Sequence, residues 1–184
     1  MDLILLQPGN PDIFGGESST LIDDEWRQEI LKFGMCLELV SVHHGMKQQV
    51  TTDVSNRART SGRPIVTEFT CVKYVDKTSV KLYDFCLRAE PLGSADKTTK
   101  LYIARNANDK TGNIITMELR DAIISEIQFQ SHPDDMPTEQ FKLNFTEIVW
   151  TYTQQEVDTA KAGGNVSAGW SLMHNRPIGQ ISAK

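Results

Sequence analysis

Residues Phe141 to Asn175 constrain the fold of this chain more than any other stretch. The segment opens as an alternating strand, with Phe141, Leu143 and Phe145 on one face and Lys142, Asn144 and Thr146 on the other. Around Glu147 the phase flips, so that Ile148, Trp150 and Tyr152 continue on the face that Lys142 and Thr146 began. A one-residue slip moves the apolar set of a strand to its opposite side, so the flip predicts a β-bulge or a strand that bends from one sheet into another. A polar connection follows from Gln154 to Asn165, with Gly163-Gly164 permitting positive φ. Gly169-Trp170-Ser171-Leu172 then resumes β character. A bent strand, a polar excursion and a closing strand predict a small all-β barrel or sandwich.

The rest of the chain fits that class. Asp2–Leu6 reads as a first strand and Gln7–Ser19 as a loop. Over Glu29–Leu39, Leu31, Phe33, Met35 and Leu37 share a core face, and Ile30, Lys32, Gly34 and Cys36 share a mixed face expected to meet solvent or a lumen. Ser41–Arg63 has no apolar periodicity and carries Lys47, Arg57, Arg59 and Arg63. A stretch of this length without an element of its own is usually functional or disordered. Ile65–Val75 is rich in β-branched and aromatic residues and reads as a strand. Leu82, Phe85, Cys86 and Ala89 then fall at helical spacing, which predicts one amphipathic helix over about residues 78–90, capped by Thr78 or Ser79 and stopped by Pro91-Leu92-Gly93. Lys97–Arg105 is a strand and Asn106–Asn113 a hairpin turn. Ile114–Gln130 is one long strand or two, with a phase break near Asp121-Ala122, and Ser131–Thr138 is a loop.

Composition bounds the function. At 184 residues the chain needs only one domain, and 39% hydrophobic with 23% charged residues is the balance of a globular protein. A net charge of −5 disfavours non-specific nucleic-acid binding. Leu3–Leu6 is too short for a signal-peptide core, and no apolar run reaches transmembrane length. The expectation is therefore a cytoplasmic protein whose export uses no cleavable signal and no membrane insertion. Cys36, Cys71 and Cys86 are odd in number and widely spaced, and suggest neither a disulfide framework nor a zinc site.

No pattern predicts catalysis, a cofactor or a metal. The adjacent pair His43-His44 lacks partners at ligand spacing, and Asp23-Asp24 and Asp134-Asp135 lack acid/base geometry. Gly15-Gly16 and Gly163-Gly164 do not follow phosphate-loop spacing, and Ser18 and Ser171 have no nucleophile-elbow context.

Several short motifs in order resemble those of the haemolysin-coregulated proteins (Hcp), the tube subunits of bacterial type VI secretion. They are Leu143-Asn144-Phe145, Trp150-Thr151-Tyr152, Gln154-Gln155, Gly163-Gly164 and Gly169-Trp170-Ser171-Leu172. Gly16-Glu17-Ser18 and Phe33-Gly34-Met35 match earlier family features, and Val72–Ser79 followed by Leu82 resembles the family's strand-to-helix junction. The resemblance runs over nearly the whole chain. Departures lie at Gln7–Phe14, in the 41–63 loop and in the tail Pro177–Lys184.

The resemblance implies one tube domain over 1–184: a β-barrel of two sheets with a flanking helix. It further implies homohexameric rings that stack into a tube, meet a sheath and a spike protein, and carry effectors in the lumen. On that reading Lys32 is a lumen-facing candidate, and Lys47, Arg57, Arg59 and Arg63 are candidates for ring stacking. The competing reading from another class is a monomeric ligand-binding β-barrel with an apolar interior cavity. A hydrolytic effector would need a catalytic domain for which the chain leaves too few residues.

Overall fold

In the computed structural model, residues 2–15, 35–50, 62–94, 96–107, 110–155 and 162–181 are described. They form two large antiparallel sheets, a two-stranded arm and one α-helix. The seven-stranded sheet has the order β13 (Arg176–Ile178), β12 (Ala162–Ser171), β11 (Glu147–Gln155), β8 (Lys110–Arg120), β7 (Thr99–Ala107), β1 (Asp2–Gln7) and β2 (Leu37–Leu39). The four-stranded sheet has the order β3 (Ser41–His43), β6 (Phe69–Tyr74), β10 (Thr138–Asn144) and β9 (Ile123–Gln130). The arm pairs β4 (Met46–Lys47) with β5 (Ile65–Val66).

Alternation puts one face of each large sheet against the other. From the seven-stranded sheet come Leu6, Leu37, Leu39, Leu101, Leu119 and Ile148; from the four-stranded sheet come Phe69, Cys71, Ile124, Phe141 and Leu143. All belong to one buried cluster, with Leu82 and Phe85 of the helix α1 (Ser79–Arg88). Burial of this many aliphatic and aromatic side chains is the dominant stabilisation of the fold. Among the described residues the fold is mainly β, with two packed sheets and one flanking helix, as the sequence implies. Among the described residues the strand ladders stay open at the sheet edges, so the body is held together by packing and not by one closed ring of hydrogen bonds.

The phase flips in the sequence are the sheet corners. β10 ends at Asn144 in one sheet and β11 starts at Glu147 in the other; β8 and β9 are divided in the same way at Asp121-Ala122. Asp121 takes φ 49°, which turns the chain sharply. The corners are tied to each other: the Thr146 amide donates to the Arg120 carbonyl at 3.0 Å, and the Leu172 amide to the Thr146 carbonyl at 2.9 Å. Arg120 and Glu147 face each other across the β8–β11 ladder, and Nη1 lies 3.3 Å from the buried carboxylate.

Three local expectations are revised. Within Gln7–Ser19, Pro11–Phe14 forms a 3-10 turn that buries Ile13 and Phe14, an apolar pair too short to register as periodicity. Ile65–Val75 is two strands, because β5 pairs in the arm and β6 in the body. The stretch from 41 begins with two short strands, β3 and β4, where a bare loop was expected; three-residue pairings lie below the reach of a pattern argument. In the tail, β13 closes the edge of the large sheet against Gly169–Ser171.

Candidate assembly surfaces and their supports

The motif Val72–Ser79 resolves into a buried ionic joint. Alternation puts Lys73 on the inner face of β6, where an unpaired ammonium would be very costly. Its Nζ lies 2.8 Å from Glu139 Oε1, its partner across the β6–β10 ladder, with side chains 1% and 0% exposed. Nζ also donates to the Tyr74 carbonyl at 2.9 Å and to Ser79 Oγ at 3.2 Å, and Asp76 Oδ1 stands 3.1 Å away. Ser79 Oγ donates to Glu139 Oε1 at 2.8 Å. The first residue of α1 is thereby bonded directly to the four-stranded sheet. Burial, and next the neighbouring Glu139 carboxylate, push the Tyr83 phenol up to about 12.

Helix capping differs from the expected form. Thr78 is the N-cap residue, but its hydroxyl turns back to Asp76 Oδ1, which also accepts from the Thr78 amide at 2.7 Å. The Asp76 amide donates to Ser79 Oγ at 3.0 Å, so the turn is closed by Asp76 and Ser79 together. The core side of α1 is Leu82 and Phe85, while Lys81, Leu87, Arg88 and Val80 are exposed.

The arm leaves the body at His44-Gly45, opposite Thr67. The Gly45 amide donates to Thr67 Oγ1 at 2.8 Å, and the Thr67 amide donates to the Gly45 carbonyl at 2.9 Å. The His44 ring turns inward and stacks on Phe69 with centroids 4.0 Å apart and planes 8° apart; Phe145 and Trp150 lie at 6.0 and 6.2 Å. Its Nδ1 is 3.1 Å from the Thr67 carbonyl oxygen. A carbonyl only accepts, so Nδ1 carries the proton. Burial lowers the basicity of the ring below that of an ordinary histidine, and the bond to Thr67 opposes this in part.

Of the predicted ring-stacking residues, Lys47 and Arg63 lie on the arm and are exposed. The Arg63 guanidinium donates through Nη2 to the Leu172 carbonyl, so it also ties the arm to the turn after β12. Arg57 and Arg59 lie outside the described residues, as does the lumen candidate Lys32. On Lys32's predicted face, Cys36 is described. It is buried with Leu5 and Tyr102, so at that point the mixed face is apolar and covered. The residues that key α1 to the sheet, Glu139 above all, were missed by sequence reasoning. A charged residue on the apolar phase of a strand was the available signal.

The sheet edges are unequal. β13 pairs only with Gly169–Ser171, which leaves the Ala162–Ala168 part of β12 with a partner on one side only among the described strands. Gly164 to Ala168 are small or polar apart from Val166, and all are exposed. A polar recess of about 550 Å³ lies between the end of β1 and the start of β7, lined by Gln7, Asp96, Lys97, Lys100, Glu118 and Gln180 among others. Among the described residues no His, Cys, Asp and Glu side chains gather into a metal-binding group, and no helix is long and apolar enough to cross a membrane.

Two packed sheets that exchange strands at their corners, a helix keyed to one of them and a two-stranded arm define a mainly β fold. Solved structures share this fold. A structure described as that of a type six secretion system protein superposes with a TM-score of 0.77 at 20% identity, covering 97% of this chain and 100% of that one. Hcp1 from Salmonella typhimurium gives 0.66 at 20% identity, over 96% and 99% of the two chains. The secreted protein Hcp3 from Pseudomonas aeruginosa gives 0.53 at 16% identity, over 90% and 95%. No curated protein matches the chain by sequence. Residues 34–152 match the family model described as "Type VI secretion system effector, Hcp". The chain belongs to the Hcp family of type VI secretion.

Proposed function

We propose that this chain is a tube subunit that closes into hexameric rings, stacks ring on ring, and carries effector proteins in the lumen. Family membership over residues 34–152 carries the reading. The partly unpaired β12 supports it, because an edge strand is a liability in a monomer and an asset where a neighbouring copy covers it. The arm and its basic residues support contact with an adjoining ring: Lys47 and Arg63 are exposed on it, and Arg57 and Arg59 lie between them in sequence. Lys32 is the residue we place facing the lumen. The partners are further copies of the chain, effectors, a spike protein and a contractile sheath, with no cofactor, no catalysis, no nucleic acid and no membrane insertion. The subunit is held in the bacterial cytoplasm before assembly and is then secreted.

The test is the solution mass by light scattering, with negative-stain imaging of the same peak. A species of about six times the 20.7 kDa chain, seen as open rings, is the expected result. A monomer at every concentration would instead favour the ligand-binding reading.

A further inference from the structure

The base of the arm holds a titratable group that the tube reading does not use. Among the described residues the buried Nε2 of His44 has no hydrogen-bond partner. In the neutral ring that atom is only a lone pair, tolerable among Phe69, Phe145 and Trp150. Charging the ring puts an N–H there with nothing to accept it, and strands a cation at the edge of the core. The aromatic faces return part of this cost by cation–π attraction, but supply no acceptor in the ring plane.

The charged groups nearby are committed elsewhere. Glu68, next to Thr67 on the segment between β5 and β6, accepts from Asn144 Nδ2 at 2.9 Å. On β11, Glu147 is paired with Arg120, and on β10, Lys142 is paired with Glu126. On the ring's own segment, His43 and Lys47 are exposed. Among the described residues, then, no carboxylate bonds to the imidazole.

We propose that His44 is a pH-sensitive latch for the arm: the neutral ring, seated on Phe69 and bonded to Thr67, holds β4–β5 to the body, and the charged ring releases it. The same four residues, His44, Gly45, Thr67 and Phe69, form both the aromatic seat and the hydrogen bonds by which the arm joins the body, so the ring cannot leave without loosening the joint. That acid would then weaken ring-to-ring contact rests on the tube reading; the latch itself does not.

The sign follows from linkage. The ring is less basic when seated than when free, so the latch is at full strength above the free-histidine range and weakens as pH falls through it. Between the free and the seated pKa, the opening equilibrium of the arm should rise about tenfold per pH unit, and below the seated value it should level off.

The test is amide hydrogen exchange on the full chain from pH 8 to pH 5, corrected for intrinsic rates, read at the arm amides of Gly45, Gly62 and Thr67. A parallel histidine NMR titration assigns the transition. Protection at these amides should drop with the His44 titration, while core amides of β8 and β11 stay unchanged. In H44F, which keeps an aromatic ring on Phe69 but cannot charge, the acid-dependent drop should vanish; H43Q should retain it. Constant arm protection in the native chain across this range overturns the proposal, as does an equal drop in H44F. Should H44F not fold, a mismatch between the native His44 titration and the loss of protection overturns it on its own. Because the readout lies within one subunit, a failed latch and a failed ring reading are told apart.

Discussion

Lys73 and Glu139 lie 66 residues apart in sequence and meet at 2.8 Å between adjacent strands, both almost wholly out of water. A buried ion pair of this kind adds little net stability against a well-packed apolar pair, yet breaking it leaves a charge stranded. E139Q and K73M should therefore each cost about 3–5 kcal/mol in denaturant unfolding. The double replacement K73M/E139L should cost clearly less than the sum. Additive costs would show that the two side chains act independently.

The same joint sets the titration of Tyr83. Burial and the Glu139 carboxylate keep its phenol protonated up to about 12. Burial pushes the Tyr102 phenol up to about 12 as well, so ultraviolet difference titration should show two tyrosines ionising late. Y83F should halve that late component, leaving the share of Tyr102, while E139Q should leave Tyr102 late. E139Q should move the Tyr83 share toward the ordinary phenol range.

At Gly169 the closing strands come too close for a side chain. A methyl group there would sit 2.8 Å from the Ile178 carbonyl oxygen and 2.9 Å from Val149 Cγ2. G169A should push β13 off the sheet and cost about 1–3 kcal/mol, read as lost amide protection at Arg176–Ile178 beyond any change in the core.

The thiols should react in a fixed order. Burial pushes Cys36 and Cys71 up to about 12, whereas Cys86 sits half-buried on α1. At pH 8 a thiol reagent should modify Cys86 first and reach the other two only on unfolding. Because the folded thiols ionise later than unfolded ones, their contribution to stability is complete below the unfolded thiol pKa. It is then lost as pH climbs from that value toward about 12.

If the proposed tube reading holds, ring closure and the arm's part in stacking should be separable. Charge reversal at Lys47, Arg57 and Arg59 should leave single rings intact while reducing their stacking into tubes, counted by electron microscopy. Deleting residues between Met46 and Gly62 should have the same effect. Tubes of unchanged length would remove the arm from ring contact. R63A should add a second effect, raised arm exchange, because its guanidinium also holds the Leu172 carbonyl.

The sequence by itself determined the β class, the helix over Ser79–Arg88 and the corners. Each is a local signal: a period of two, a period near 3.6, and a phase slip at Asp121-Ala122 or near Glu147, where a strand must change sheets to keep its apolar side inward. The short motifs also marked the family, although identity to the solved structures above is only 16–20%. Tertiary structure alone decided which strands pair and which polar groups go inside. Glu139 reads as a surface charge until β10 is laid beside β6 and Lys73 comes into range. His44 reads only as half of a pair without ligand partners until Phe69, Phe145 and Trp150 converge on it from two sheets. A pattern along one segment reports which side of it faces the core. What stands on the other side of that core is fixed only when distant segments pack together.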